Sequence, residues 1–167
     1  MVPAPQVGTD GQLLAWRLDR QHHADTWDSG IGAEKFGGRW NMKGQRAVYC
    51  SVDPSTAILE VAVHVGFPLL DMQPHTLTCA RITGGPVHVV QPEDVPNPGW
   101  LAPGTPGAGQ QAFGSRLLAQ YGIVLFPSTV SRFSWNLVME PGVAEGRYRQ
   151  DSQSRFALDT RLHPSKA

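Results

Sequence analysis

Cysteine is nearly absent: the chain has two in 167 residues, Cys50 and Cys79. Each sits in an apolar, strand-like run, so they read as buried free thiols of a reducing compartment, not as a disulfide framework. No metal-ligand spacing is present, and the His22–His23 pair has no partner at such spacing, so no metal is expected. Lysine is scarce too, at three against eleven arginines, and charges cancel at a pI of about 7.0. A surface built for phosphate backbones carries a basic excess; its absence argues against direct DNA binding. The arginine bias suits planar, bidentate phosphate recognition, although genomic base composition produces the same bias. Long apolar runs are missing as well. The longest are about four residues, such as Ile123 to Phe126, far short of a membrane span. The opening residues, Met1 to Gln12, have neither the basic nor the apolar region of a signal peptide. These absences predict a soluble, cytoplasmic chain that does not engage a membrane.

What is present describes one globular domain. Apolar residues make up 41% and charged residues 17% of the chain, outside the disordered range. Residues 1–12 read as a flexible leader. Leu13 to Leu18 reads as a strand, and the polar stretch 19–36 as a short helix or a lid. Residues 46–51 read as the next strand. Asp53-Pro54 then opens a helix, with Asp as N-cap and Pro in the first helical position. It runs to about Val65 and stops at Gly66 and Pro68. Its apolar residues cover most of the circumference, so it is expected to be largely buried. The remaining stripe holds Thr56, Glu60 and His64. Strands are expected at 76–82 and 86–90. Residues 92–109 contain five prolines and four glycines, which predicts a long loop. A helix over 110–120 and strands at 123–126 and 134–139 follow. Residues 142–153 read as polar, and Phe156 to Leu158 as a last edge strand. Mixed strands with two modest helices predict an α+β domain with a mixed central sheet.

Four positions could carry chemistry. Arg39 follows Gly37-Gly38, where the backbone can approach a ligand closely and a guanidinium can fork onto a phosphate. The same arginine could instead pair with a core carboxylate or stack on Trp40. Tyr49 shares a strand face with Ala47 and Ser51; it lines a cleft or is a half-buried strand tyrosine. Glu60 either meets a ligand or belongs to a solvated stripe, paired with His64 at i,i+4, and spacing alone favours the stripe. Ser128 follows a buried strand and a proline, where it borders a site or caps a turn. No Gly-x-Ser-x-Gly elbow surrounds it, which argues against a hydrolase-type nucleophile.

Together these residues resemble the RES-domain family, named for its Arg, Glu and Ser. The likeness rests on Gly37-Gly38-Arg39-Trp40-Asn41, on Tyr49, and on Thr56-Ala57-Ile58-Leu59-Glu60. Pro127-Ser128, Asn136 and the ending Phe156 to Leu162 extend it, and Arg17 matches the family's opening arginine after a hydrophobic strand. The match runs over residues 13–162, which sets 13–167 as the RES domain. Two places depart from the pattern. Glu140-Pro141 stands where the family shows Asn-Pro with a nearby His. Gly114-Ser115-Arg116-Leu117 lacks the Trp of the family's Gly-Asp-x-Trp helix.

The resemblance implies a fold like the ADP-ribosyltransferase toxins and a toxin of a type II toxin–antitoxin pair. It implies NAD as substrate, cleaved at the nicotinamide–ribose bond with no metal. Arg39, Tyr49, Glu60 and Ser128 would be catalytic; Arg17, Gly38, Trp40, Asn41 and Asn136 would bind the dinucleotide. The implied partner is an Xre-like helix-turn-helix antitoxin that blocks the active site, with the toxin a homodimer in the complex. Water as acceptor makes a glycohydrolase, phosphate a phosphorylase, and a side chain an ADP-ribosyltransferase. Outside the family reading, five tryptophans and many arginines could grip single-stranded RNA, but the neutral charge argues against it.

Overall fold

The computed structural model describes residues 13–164; the expected leader, 1–12, lies outside them. Seven strands are present: β1 (Leu14–Arg20), β2 (Val48–Ser51), β3 (His75–Ile82), β4 (His88–Val89), β5 (Ile123–Pro127), β6 (Trp135–Met139) and β7 (Tyr148–Phe156). Helices α1 (Ile31–Phe36), α2 (Pro54–Met72) and α3 (Ala108–Tyr121) connect them. The strands form one sheet in the order β4-β5-β6-β2-β1-β3-β7. Among the described residues only the β4–β5 pair is parallel. This is an α+β domain with a mixed central sheet, as the sequence predicts.

The core is built on β5. Ile123, Val124, Leu125 and Phe126 are all fully buried, so an unbroken apolar run serves a strand covered on both faces. Alternate residues go to opposite sides. Ile123 and Leu125 join Leu13, Val48, Cys50, Leu137 and Met139. Val124 and Phe126 join Trp40, Val138 and Leu118 of α3. Cys50 and Cys79 are both buried and free, and burial pushes the Cys50 thiol up to about 12, so it packs as a small apolar side chain.

The sheet opens between β1 and β2. β1 and β3 pair from Leu14↔Arg81 to Arg20↔His75, and β2 and β6 from Val48↔Met139 to Ser51↔Asn136. β1 and β2 pair only at Trp16↔Ser51. Two well-paired halves thus diverge from a single contact, and the gap between them is the floor of a cleft.

Helix α2 starts as expected. Asp53 accepts from the Thr56 backbone N–H at 2.8 Å, and Pro54 takes the first turn. The Thr56 and Ser134 hydroxyls donate to the other carboxylate oxygen at 2.6 and 2.7 Å, tying the helix start to the approach to β6. Burial raises the Asp53 pKa, but the bonds from Thr56 and Ser134 outweigh it and hold the carboxyl below its usual value. The stability this carries is present above the unfolded carboxylate value of about 3.9 and is lost as pH falls through the lower folded value. Asp53→Ala is expected to cost ~1–2 kcal/mol in urea unfolding at pH 7. The gap to wild type should narrow as the pH drops below ~4, because protonation removes the same interaction.

One expectation for α2 is met and one is corrected. The helical path breaks at Gly66 as expected: that residue takes φ 78° and ψ 155°, outside the helical region, and a second short helical piece, not expected, follows through Met72. Pro68 sits in the first turn of the resumed piece, where its missing N–H costs little. The helix is not largely buried. Thr56, Ala57, Ala62 and Leu70 are buried, while Leu59 is 41% and Val63 60% exposed. Thr56 and Glu60 of the polar stripe turn inward while His64 is exposed, and part of the apolar surface faces out. Over 19 residues α2 is apolar enough to cross a bilayer by length and composition, contrary to the reading from run lengths. The kink divides it into pieces shorter than the ~20 residues a span needs, and α2 packs on β1.

At the far edge of the sheet, Tyr148–Phe156 is a nine-residue strand, where the sequence reading places a strand only from Phe156. It pairs with β3 along its length, but most of its residues are exposed, so no apolar alternation marks it. The strand ends at Phe156, and Leu158 is buried beyond it beside Ala62 and Leu70. The predicted 86–90 strand shrinks to His88–Val89, and 92–109 is irregular apart from the 3-10 turn Pro92–Asp94 and the start of α3.

Candidate active site

The Gly37–Asn41 loop is built around a tyrosine. The Tyr49 hydroxyl accepts from the Trp40 backbone N–H at 2.9 Å and donates to Asn41 Oδ1 at 2.7 Å. A Cβ on Gly38 would lie 2.4 Å from that hydroxyl and 2.7 Å from Asn41 Oδ1. The missing side chain is therefore needed for Tyr49 and Asn41; the close approach is to the protein itself. Gly37, at φ 74°, ends α1 with its N–H on Ala33 O. Asn41 Nδ2 lies 3.0–3.1 Å from the carbonyls of Ala33, Met42 and Gln45, and Gln111 of α3 donates to Gly38 O at 2.8 Å. Burial pushes the Tyr49 phenol well above its ordinary value, and its two hydrogen bonds hold the loop in place. Tyr49→Phe leaves the Trp40 N–H and Asn41 Oδ1 unpaired, and a loss of ~1–3 kcal/mol in urea unfolding is expected.

Two arginines border the same region. Arg17 spans the opening between β1 and β2: Nη1 donates to Tyr49 O at 2.9 Å and Nη2 pairs with Asp19 at 2.6 Å. Its Nε is buried with no partner among the described residues. Arg39 Nη1 donates to Trp100 O at 3.0 Å, which fastens the 92–109 loop beside the site. Arg39 therefore neither pairs with a core carboxylate nor stacks on Trp40, whose ring lies against Phe126 at 4.2 Å and 9°.

Glu60 reaches the site from the inward stripe of α2. Its Oε1 accepts from Ser128 Oγ at 3.0 Å and Asn136 Nδ2 at 2.5 Å. No protein donor reaches Oε2 among the described residues. Thr56, one turn earlier, is held by Asp53 and Ser134, and His64, one turn later, is exposed. The solvated-stripe reading of Glu60 is corrected: the sheet opening lies under the Glu60 end of this stripe, so Glu60 and His64 border the cleft.

The cleft has a volume of about 930 Å³, room for a dinucleotide-sized ligand. Arg17, Gly38, Arg39, Trp40, Tyr49, Glu60 and Asn136 border it, together with residues of the 101–106 loop. Trp40 contributes little ring surface, being 1% exposed. Asn41 is fully buried under the loop, and Ser128 lies behind Glu60 as a donor at 1% exposure. Ser51 and Gln111 also border the cleft. Strand alternation puts Ser51 on the face of Tyr49; no local pattern marks Gln111. The arrangement brings arginines, Arg17 and Arg39 among them, and a carboxylate with a free oxygen into a single sheltered space.

A split mixed sheet with arginines and a supported carboxylate in the split defines a class, and comparison with known proteins supplies the family. The model of the RES domain matches residues 14–159, and the chain belongs to the RES-domain family. It is 29% identical to "Toxin Res" of Photorhabdus laumondii over 92% of this chain and 99% of that one. It is 32% identical to "Toxin Res" of Yersinia enterocolitica over 73% and 79%. A protein of the same name from Pseudomonas putida is 29% identical over 90% and 99%. The fold matches a chain in the crystal structure of the M. tuberculosis MbcT-MbcA toxin-antitoxin complex, with a TM-score of 0.71 over 86% of this chain and 84% of that one, at 20% identity.

Proposed function

We propose that this chain is the toxin of a toxin–antitoxin pair and that it degrades NAD by cleaving the nicotinamide–ribose bond. The names of its relatives support the first half. The observation that carries the second is Glu60, with Oε1 held by two donors and Oε2 left to a ligand in a cleft shared with Arg17 and Arg39.

Arg39 and Arg17 hold the pyrophosphate, with charge-assisted bonds suited to phosphate oxygens. The Tyr49 ring packs against nicotinamide. Glu60 Oε2 accepts from a ribose hydroxyl and stabilises the positive charge that develops as the bond breaks. The bonding pair leaves with the nicotinamide nitrogen, giving a neutral base. Water or phosphate then attacks the ribose carbon; water gives up one proton to yield ADP-ribose. Ser128 and Asn136 hold the carboxylate, and Asn41 holds the loop.

The partner is an antitoxin that closes this cleft, an Xre-like helix-turn-helix protein, around a toxin homodimer in the cytoplasm. Phe36, Val63 and Leu101, respectively 77%, 60% and 37% exposed, give the mouth an apolar rim for it. The deciding experiment is NAD consumption by the purified chain, with and without phosphate and with products separated. ADP-ribose, or its 1″-phosphate when phosphate is present, is the expected product. No loss of free NAD, with label transferred to protein, would replace this reading with a protein ADP-ribosyltransferase.

A further inference from the structure

Ser51 stands opposite Asn136 in the β2–β6 ladder. It is 2% exposed, and its Oγ lies 2.9 Å from Asn136 Oδ1. The direction of that bond follows from the carboxylate beyond it. A carboxylate only accepts, so the Asn136 atom 2.5 Å from Glu60 Oε1 is the amide nitrogen. Oδ1 then points back at Ser51, and the Ser51 hydroxyl must donate. The second support of Glu60 is directional too. Ser128 Oγ accepts from the Ser131 N–H at 3.1 Å and sends its own proton to Oε1. Both donors converge on one oxygen of Glu60.

We propose that Ser51 is a positioning residue for Glu60: it locks the Asn136 amide in the orientation that donates to Oε1, and so keeps Oε2 turned into the cleft to meet the substrate. The proposal rests on the NAD-cleaving reading of the site. Without the Ser51 hydroxyl nothing fixes the amide on its far side. Turned over, it would set Oδ1 against Oε1, and the carboxylate would swing away from the one arrangement that frees Oε2.

The test is a cycle of Ser51→Ala, Asn136→Ala and the double variant, with Ser51→Thr as the hydroxyl-keeping control, each checked for folding by thermal melting. Ser51→Ala should lower kcat for NAD about tenfold while KM moves by less than about twofold, since the orientation of Glu60 matters most as the sugar becomes cationic and the pyrophosphate contacts are untouched. The double variant should be no slower than Asn136→Ala alone, because Ser51 acts only through Asn136. Ser51→Thr should recover most of the rate; if it melts out, the cycle decides alone. An unchanged kcat in Ser51→Ala, or losses that multiply in the double variant, would overturn the proposal. If the wild-type chain spares NAD, the substrate reading falls. The same cycle is then scored as growth arrest in a bacterial host: relief by Ser51→Ala with no further relief in the double variant supports the positioning role, and undiminished arrest removes it.

Discussion

Glu60→Gln should stop NAD consumption without unfolding the chain. Glutamine has nearly the same shape, and its amide oxygen can still accept from Ser128 and Asn136, so the bonds that tie α2 to β6 survive. What disappears is the negative charge beside the ribose. A preorganised charged contact of this kind is commonly worth ~3 kcal/mol of barrier, about two orders of magnitude in rate. The loss should fall on kcat, because the charge matters most when the sugar becomes cationic. Growth arrest should vanish in parallel. The assignment of Glu60 would be sunk by a Glu60→Gln protein with a wild-type melting curve and undiminished turnover.

Gly114→Ala should destabilise the chain strongly, although helix propensity points the other way. In an exposed helix the change gains up to ~1 kcal/mol. Here a Cβ would lie 2.2 Å from the Trp40 carbonyl oxygen and 2.8 Å from Trp40 C and Cα. All three are backbone atoms, so no side chain can turn aside. Either α3 lifts off or the Trp40 segment moves, and that segment carries the bond to Tyr49. Overpacking that shifts backbone commonly costs 1–3 kcal/mol or more, so a net loss of ~2–3 kcal/mol and a melting temperature lower by ~5–10 °C are expected. Gly109, in the same helix, has nothing within 4 Å of its missing Cβ. Gly109→Ala should therefore stabilise by up to ~1 kcal/mol. If both variants melt like wild type, the contact between α3 and Trp40 is not the constraint described here.

Local signals in the sequence determined a good deal. Asp53-Pro54 marks the start of α2 because a cap and a fixed φ are properties of a few adjacent residues. The unbroken run at Ile123–Phe126 identifies the buried strand, and the Gly37–Asn41 string with Glu60 at its spacing points to the family. The sequence by itself did not determine what faces what. Helical periodicity grouped Thr56, Glu60 and His64 on one stripe, but the opening between β1 and β2 decided that Glu60 of this stripe borders the cleft. The purpose of Gly38 depends on Tyr49, and that of Gly114 on Trp40; only packing brings these pairs together. Strand β7 escaped notice because its residues face solvent and its hydrogen bonds come from β3. The supports of Glu60 lie 68 and 76 positions away, and Ser51 stands 85 from Asn136. Short-range preferences act through neighbouring dihedrals and are legible in order along the chain. A hydrogen bond across such separations exists only once the register of the sheet is set, and that is a property of the tertiary structure.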